Sequence, residues 1–200
     1  MPRVASTNSN RSANCIGIDD GSFPPKSQNK PSYAPLIVAC LSGPRLFRVR
    51  TGWITVDGLD ATREAETLLG KLPRAPILLS GVTFGGFNLI DPMKVQQRFK
   101  TPTIVVVGAR PDNRAVKHAL FKHFADWEER WRIIRSLGPL RTVRTVTGEP
   151  PIFYEAFGCT PSEARSILLR NAWVSRVPEP IRVAGLIARG LFTETSRIAS

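Results

Sequence analysis

The sequence predicts a single α/β domain, and three observations support this prediction. Short apolar, β-branched runs alternate along the chain with amphipathic runs of helical period. The run at 103–107 is continuously β-branched, which is typical of a parallel strand that helices cover on both faces. The 200 residues, 42% of them hydrophobic and 22% charged, fit one ordinary globular domain. No internal repeat or low-complexity linker divides the chain, so we expect one folding unit.

The first half predicts three antiparallel strands followed by helix-linked parallel strands. Residues 15–18 are apolar, and Gly21 and the prolines after it end this first strand. A turn at 42–44 separates two further apolar runs, which predicts a hairpin. The later elements alternate in type, which implies right-handed crossovers. The predicted strands after the first are 36–41, 46–56, 76–79 and 103–107, and the helices begin after Asp60 and at Asp91-Pro92.

The second half predicts a long helix over 113–137. Its apolar residues step by three and four along one face, and they are Leu120, Phe124, Trp127, Trp131 and Ile134. The pair Asp126 and Arg130, four residues apart, is expected on the solvent side. Residues 140–146 and 152–157 predict short strands, or a strand and a loop. Two further helices are predicted at 162–170 and 177–189, the second begun by Pro180.

The termini and cysteines indicate an intracellular domain. We expect a flexible segment at 1–14, one domain over 15–192 and a flexible tail at 193–200. The N-terminal segment is polar and lacks a secretory core, and no apolar stretch reaches the length of a membrane span. Three widely spaced cysteines form neither a disulfide framework nor a zinc pattern. The sequence therefore predicts a cytoplasmic protein without a membrane partner.

The charge distribution favours a polyanionic partner. The chain has 28 Lys and Arg against 16 Asp and Glu, a net charge of +12. Residues 1–100 carry 13 basic and 7 acidic side chains and residues 101–200 carry 15 and 9, so the excess is +6 in each half. Nucleic acid is the first expected partner and an anionic surface the second. The alternative is a basic protein of a generally basic proteome.

Two adjacent carboxylates at the end of the first strand are candidate site residues. Charged side chains are rare in buried strands unless they are paired or bind a metal. Because side chains alternate along a strand, Asp19 is expected to face a site and Asp20 the opposite side. The alternative is that either residue only supports the turn at Gly21, where Asp is common.

Other carboxylates follow at predicted turns and helix starts. Asp57 and Asp60 lie between the third strand and the next helix, where a turn and an N-cap are the simpler interpretation. Residues 80–92 contain glycines at 81, 85 and 86, which permit close approach of a ligand but match no phosphate-binding loop. Asp91 precedes a proline and is a typical helix start.

Four ordered motifs spread over the chain resemble the archaeal endonuclease dU family. They are Gly17-Ile18-Asp19-Asp20-Gly21, residues 56–62 (Val-Asp-Gly-Leu-Asp-Ala-Thr), residues 81–91 around Gly85-Gly86, and residues 178–184 (Pro-Glu-Pro-Ile-Arg-Val-Ala). The resemblance implies a DNA-repair enzyme that cuts strands containing deoxyuridine. A more distant similarity to endonuclease V implies a ribonuclease H-like fold, a mixed sheet flanked by helices, with divalent metal catalysis.

The similarity to endonuclease V is uneven along the chain. Asp19 matches its first-strand aspartate, Glu64 the glutamate of its Arg-Glu segment, and 178–182 its Pro-Glu-Pro-x-Arg segment. Ser80-Gly81 stands where that family has Asp-Gly, and Gly158-Cys159 where it has Gly-His. Asp57, Asp60 and Asp91 are the nearby carboxylates that could compensate.

The resulting hypothesis is a metal-dependent endonuclease on uracil-containing DNA. The expected catalytic residues are Asp19, Asp57, Asp60, Glu64 and Asp91. Of these, Asp19, Asp60 and Asp91 are expected to hold Mg²⁺ or Mn²⁺, and no small-molecule cofactor is expected. Base recognition is assigned to Phe84, Phe87 and Asn88, and phosphate binding to Arg182 and Arg189.

Two alternatives from other classes stay open. Ser80 at a carboxylate position favours a nucleic-acid-binding protein whose catalytic site has decayed. A hydrolase of a small phosphorylated metabolite is the other alternative, and it would bind duplex DNA only weakly.

Overall fold

The strands and helices follow the predicted α/β order. A computed structural model describes residues 14–23 and 32–198, with side chains as far as residue 191. Within these residues the strands are β1 (Asn14–Asp19), β2 (Tyr33–Ser42), β3 (Arg45–Thr55), β4 (Ile77–Ser80), β5 (Thr83–Phe84), β6 (Asn88–Leu89), β7 (Thr103–Val107), β8 (Arg141–Val143) and β9 (Ile152–Phe157). The helices are α1 (Ala61–Leu69), α2 (Pro92–Phe99), α3 (Asn113–His123), α4 (Trp127–Arg135), α5 (Pro161–Arg170) and α6 (Glu179–Ile198).

Seven of these strands form one mixed sheet in the order β3-β2-β1-β4-β7-β9-β8. The first three strands pair antiparallel, and β1, β4 and β7 run parallel to one another. β9 returns antiparallel to β7, and β8 pairs antiparallel with β9. The predicted mixed sheet flanked by helices is therefore confirmed, with β1 in its interior.

Alternation along the strands divides the core between the two faces of the sheet. On one face, Ile16 and Ile18 of β1 pack with Ala65 of α1 and Val95 of α2. On the other face, α5 covers β4, β7 and β9, and α6 covers β1 and β2. Asp19 is thus the last residue of a strand that is buried on both sides and Asp20 follows it, which explains how carboxylates come to lie at the edge of the core.

The register places one row of residues across the middle of the sheet. Ile18 pairs with Leu79, Leu79 with Val105, and Val105 with Glu155. Neighbouring strands lie about 4.8 Å apart, so Glu155 is about 14 Å from the strand that ends at Asp19.

The prediction of one long helix over 113–137 is wrong, because two helices, α3 and α4, occupy this range. Phe124 adopts an extended conformation, φ −132° and ψ 123°, and ends α3. Its ring meets the ring of Phe87 edge to face, with 5.5 Å between centroids. The predicted apolar residues nevertheless pack in one cluster, because both helices turn the same face to the β5–β6 region.

The ends of the chain extend the predicted elements. The expected flexible segment 1–14 lies almost wholly outside the described residues. The last helix begins at Glu179 and continues to Ile198, so it passes through most of the expected tail at 193–200. Among the described helices, none combines the length and apolar character that crossing a membrane requires. All three cysteines are free thiols.

Candidate functional site

The acidic pair, Asp19 and Asp20, lies at the carboxyl end of β1 between α6 and the β5–β6 turn. The two side chains leave the strand on opposite faces, as alternation requires. Asp19 Oδ2 lies against Gly185 of α6, whereas Asp20 Oδ2 accepts a hydrogen bond of 2.5 Å from the backbone N–H of Gly85. Beyond the end of the strand, the two carboxyl groups turn towards each other and share a hydrogen bond. Although the Asp19 and Asp20 side chains leave the backbone in opposite directions, their carboxyl groups therefore belong to one site.

Close packing of α6 on β1 leaves this pair half-buried. A Cβ at Gly17 would overlap the backbone of Pro180, so a larger residue would push the start of α6 off the strand. A Cβ at Gly185 would overlap Asp19 Oδ2 in the same way. These two glycines let the Gly-x-Asp motif of β1 pack directly against α6 and its Pro-Glu-Pro motif.

Burial, and the proximity of the two carboxyl groups to each other, favour binding of a proton or a cation by the acidic pair. Burial, together with the neighbouring charge of Asp19, raises the pKa of Asp20 to about 7 against the lowering effect of the Gly85 N–H. Burial also raises the pKa of Asp19, although backbone N–H groups and Arg189 oppose the shift. Two buried carboxylates in contact are stable when they share a proton or bind a cation.

The acidic pair fits a magnesium-type ion. Mg²⁺ in proteins is commonly held by one or two carboxylates together with water and substrate phosphates. Two carboxylates that burial drives towards neutralisation supply that donor set. In the described part of the chain, no group of three or more His, Cys, Asp and Glu side chains could hold a metal ion. The predicted ligand set of Asp19, Asp60 and Asp91 is therefore not brought together.

Asp60 is held in a hydrogen-bonded unit that we call the Asp60–Asn88 bracket. Its carboxylate accepts hydrogen bonds from Thr55 N (3.2 Å), Thr55 Oγ1 (2.9 Å) and Asn88 Nδ2 (2.5 Å). Asn88 Oδ1 in turn accepts from Ala61 N at 2.9 Å, so Asn88 and not Asp60 satisfies the first turn of α1. The bracket ties the end of β3 to α1 and β6.

Asp57 supports the same β5–β6 turn that Asp20 contacts. Its backbone has a positive φ of 59°, which is uncommon outside glycine. Asp57 Oδ1 accepts from Phe87 N at 3.0 Å, and Asp57 N donates to Gly85 O at 2.7 Å. Asp20 and Asp57 therefore hold the same three-residue turn between them.

Arg130 locks this region from α4 and corrects its expected position in solvent. Its side chain is only 4% exposed. It donates two bonds of 2.8 Å to Asp126 and further bonds to the carbonyl oxygens of Asp57, Gly58 and Phe87. The predicted pair with Asp126 exists, but it is part of a buried network. The sequence contained a signal, because Arg130 stands three residues after Trp127 and four before Ile134, on the apolar side of the helix.

Asp91 caps α2. Its carboxylate accepts hydrogen bonds from Met93 N at 3.0 Å and Lys94 N at 3.2 Å. This is the helix start that the Asp-Pro sequence indicates, and it engages the carboxylate with backbone N–H groups of its own helix.

Glu64 lies on the same face of the sheet as Asp20. Its carboxylate rests against Gly52 of β3, and Gly52 pairs with Leu36 of β2. Since Ile37 pairs with Asp19, Leu36 stands level with Asp20. Glu64 is thus about two strand spacings, or about 10 Å, from the acidic pair.

The three residues predicted to recognise a base have different environments. Phe84 and Asn88 are both 0% exposed, the first in the core and the second in the bracket. Phe87 is half-buried and lines an open cleft of about 500 Å³ together with Phe23, His123 and Phe124. A base could reach Phe87 without unfolding the turn, whereas Phe84 and Asn88 shape the turn from beneath.

The two predicted phosphate-binding arginines also differ. Arg182 donates from Nε and Nη2 to Glu179, at 2.9 and 2.6 Å, and this raises its pKa. Glu179 is itself buried and was not singled out in the sequence. Arg189 lies beside Gly185 and lowers the pKa of Asp19 through its charge. Arg189 therefore belongs to the acidic pair's surroundings, and Arg182 orders the first turn of α6.

Solved structures identify the class of fold. A protein of unknown function from Archaeoglobus fulgidus superposes with a TM-score of 0.77 at 28% identity, covering 90% of this chain and 98% of its own. Endonuclease V from Ciona intestinalis, in complex with a 24mer DNA containing an inosine followed by a ribo-adenosine, gives 0.60 at 18% identity, covering 92% and 87%. The NurA nuclease from Sulfolobus solfataricus gives 0.54 at 12% identity, covering 92% and 82%. The expected ribonuclease H-like fold is confirmed.

Sequence comparison then identifies the family. A profile of the family described as Endonuclease dU matches residues 11–192. A UPF0215 protein of Methanopyrus kandleri is 36% identical over 182 residues, which are 88% of this chain and 89% of its own. Another, of Pyrococcus furiosus, is 35% identical over 182 residues, covering 89% and 91%. The chain belongs to the Endonuclease dU family, and its family and fold support a nuclease.

Proposed function

We propose that the chain is a metal-dependent endonuclease that cuts deoxyuridine-containing DNA in DNA repair. The observation that carries the proposal is the acidic pair, two half-buried carboxyl groups in contact at the carboxyl end of an interior strand. The family description and the ribonuclease H-like fold support it.

The acidic pair supplies the chemistry that phosphodiester hydrolysis needs. Mg²⁺ or Mn²⁺, when bound, would neutralise phosphate charge and lower the pKa of an attacking water. Asp19 and Asp20 hold that ion in this proposal, and Arg189 directs a phosphate towards Asp19. Glu64, on the face of Asp20 and about two strand spacings away, is a further carboxylate on that side of the sheet. Asp57, Asp60 and Asp91 act through the backbone they fix.

DNA is the proposed partner because of charge and access. The net charge of +12 is divided equally between the two halves of the chain, which favours a phosphate backbone over a small anion. Phe87 is proposed to contact bases at the cleft beside the β5–β6 turn. Cytoplasmic localisation accords with free cysteines and remains a prediction.

A nicking assay tests the proposal. Duplexes with one deoxyuridine and matched duplexes with thymidine are incubated with Mg²⁺, with Mn²⁺ or with a chelator. We expect metal-dependent nicking of the deoxyuridine strand alone. Equal nicking of both duplexes would contradict the proposed deoxyuridine specificity, and nicking in the presence of chelator would contradict the proposed metal dependence.

A non-catalytic nucleic-acid-binding protein is the second candidate. It is favoured by the engagement of Asp60 and Asp91 in backbone and side-chain hydrogen bonds, and by the finding that no three-residue metal group forms among the described residues. It predicts DNA binding that falls about a thousandfold between 50 and 200 mM salt if about six phosphates are neutralised, with no nicking under any metal. The same duplexes measure both properties.

A further inference from the structure

A second, separate pocket lies across the β4–β5 connection from the acidic pair. It has a volume of about 430 Å³ and opens between β7, β9 and the helices α3 and α4. Its walls are mostly apolar, with side chains such as Val105, Val107, Trp131, Ile134, Leu137 and Leu140. A concave apolar pocket of this size, with few polar groups, is typical of a small-ligand site.

Glu155 lies in this pocket without a partner. It is on β9 opposite Val105, in the row that crosses the middle of the sheet, and it is 7% exposed. No hydrogen bond or ion pair connects its carboxyl group to another residue of the described part of the chain. A carboxyl group on an otherwise apolar face costs stability unless a ligand or solvent satisfies it.

The charged groups that face Glu155 are few and lie at the rim. Arg110, after β7, and Arg135, in α4, line the pocket, and both are exposed. The wall residues from β4–β5, β7, α3 and 137–140 carry no titratable side chain. Burial raises the pKa of Glu155 to about 7, so near neutral pH its carboxyl group can donate as well as accept a hydrogen bond.

We propose that this pocket binds a nucleobase edge that has one hydrogen-bond donor beside one acceptor, with Glu155 as the residue that recognises it. The identity of the base, uracil, rests on the proposed function. The protonated carboxyl group donates its O–H to the base carbonyl and accepts the adjacent N–H. Trp131 and the valines bury the ring, and Arg110 or Arg135 meets the attached phosphate at the rim.

The position of the pocket suits a base that leaves the duplex. Gly81 follows Ser80 at the end of β4, the strand adjacent to β1, and it forms one wall of the pocket. The acidic pair therefore lies on one side of this connection and Glu155 on the other. Enzymes that act at a base commonly extrude it from the stack into such a pocket.

Direct binding of free 2′-deoxyuridine tests the inference without DNA or metal. Calorimetry is done with the full chain at pH 5.5, 7.0 and 8.5. We expect affinity to fall about thirtyfold from pH 5.5 to 8.5, because the protonated fraction of a group with a pKa of about 7 falls by that factor. Glu155→Gln, whose amide also presents one donor and one acceptor, should bind equally at all three pH values. Glu155→Leu should lose more than tenfold at pH 5.5.

Three results would overturn the inference. The first is no binding by the wild type, and the second is unchanged binding by Glu155→Leu. The third is that Glu155→Gln loses binding while the wild type binds more tightly above pH 7, because a ligand with two hydrogen-bond donors would behave in this way. Glu128→Gln, an exposed change on α4, is the matched control and should bind as the wild type. If Glu155→Leu fails to fold, the Gln variant and the pH series still decide.

The outcome separates this inference from the proposed function. Nicking by a wild type that does not bind 2′-deoxyuridine would leave the nuclease proposal standing and remove this pocket's role. Binding that depends on Glu155, without nicking, would keep the pocket and remove the nuclease proposal.

Discussion

The acidic pair and the Asp57–Asp60 loop contact the same glycine-rich segment, yet their carboxylates have opposite environments. Asp60 receives hydrogen bonds from Thr55 and Asn88, and Asp57 receives one from Phe87 N. Asp19 accepts from the backbone N–H groups of Asp20 and Gly21, and Asp20 accepts from that of Gly85. Partial burial nevertheless raises the pKa of both. The fold satisfies the carboxylate of Asp60 most fully, whereas the donors to the acidic pair do not offset the effect of burial on its pKa values.

This difference indicates which carboxylates are available for chemistry. A carboxylate that accepts several hydrogen bonds from the fold would have to break them in order to bind a metal. Metal binding would stabilise the acidic pair, because a cation offsets both the cost of burying the two negative charges and their mutual repulsion. We therefore propose that the metal binds at the end of β1 and that the loop after β3 has a positioning role.

The largest expected effect is on nicking by variants of the acidic pair. Asp19→Asn and Asp20→Asn each remove a negative charge from the proposed metal site and keep its shape. We expect each to lower metal-dependent nicking by about a hundredfold or more, since both carboxyl groups meet in one site. Initial rates on the deoxyuridine duplex measure this, with DNA binding measured in parallel.

Asp60→Asn is the matched variant from the other region. It should lower the melting temperature through the bracket and leave the nicking rate of the folded protein within a few-fold. Full activity of Asp19→Asn would contradict the metal site, and a hundredfold loss in a folded Asp60→Asn would cancel the distinction between the two regions.

Arg130→Met tests the buried network that holds the loop. The change leaves Asp126 and three backbone carbonyl oxygens without their donor, so we expect a loss of about 3–5 kcal/mol in the free energy of unfolding. Urea denaturation measures it.

Arg132→Met, two residues away, is the control for this change. Its side chain is 70% exposed and its ion pair with Glu129 spans 3.7 Å, so the expected change is within about 0.5 kcal/mol. Similar losses in both variants would mean that Arg130 contributes no more than a surface arginine.

The pH dependence of stability distinguishes the two kinds of carboxylate. Since folding raises the pKa of Asp20 from 3.8 to about 7, its stabilising contribution is complete below pH 3.8 and is lost as pH rises through 7. Asp20→Asn has no carboxyl group to ionise at this position and so avoids this loss. The free energy of unfolding of the variant, relative to that of the wild type, should therefore increase by a few kcal/mol between pH 4 and 8. Melting temperatures across that range measure the difference.

Glu163→Gln should show the opposite sign. Hydrogen bonds from Thr160 lower the pKa of Glu163, so its contribution is present above pH 4.5 and is lost in acid. The variant should be less stable than the wild type at pH 7 and equal to it in acid. If the stability of both variants changed with pH in the same direction, burial could not be the cause of the raised pKa of Asp20.

The fold was largely predictable because it depends on local periodicity. The strand at 103–107, the hairpin of β2 and β3 and the capped helix at Asp91 all follow from short patterns. The long helix was wrong because Phe124 leaves helical geometry to meet Phe87, a residue 37 positions earlier that no local pattern reveals. Tertiary contact overrode propensity at that point.

The site was less predictable because its hydrogen bonds join distant residues. Asp20 binds Gly85 and Asp60 binds Asn88, separations of 65 and 28 positions. A sequence shows where carboxylates stand and leaves open which of them the fold satisfies. One signal was overlooked, since Glu155 stands within a short apolar strand, where an acidic residue is rare.

The smallest expected effect belongs to Asp91, and it tests the boundary of the positioning region. Asp91→Ala removes the acceptor of Met93 N and Lys94 N, groups that water can reach, so the free energy of unfolding should fall by about 1 kcal/mol. Asp112→Ala is the matched control, because Asp112 caps α3 through Arg114 N and Ala115 N at 3.0 and 3.1 Å. We expect equal small losses in thermal denaturation and unchanged nicking in both. If Asp91→Ala alone lost nicking while it melted like Asp112→Ala, Asp91 would act on the substrate or metal, and the predicted three-aspartate ligand set would be restored. Equal behaviour of the two variants would leave Asp91 as a helix cap and confine the chemistry to the end of β1.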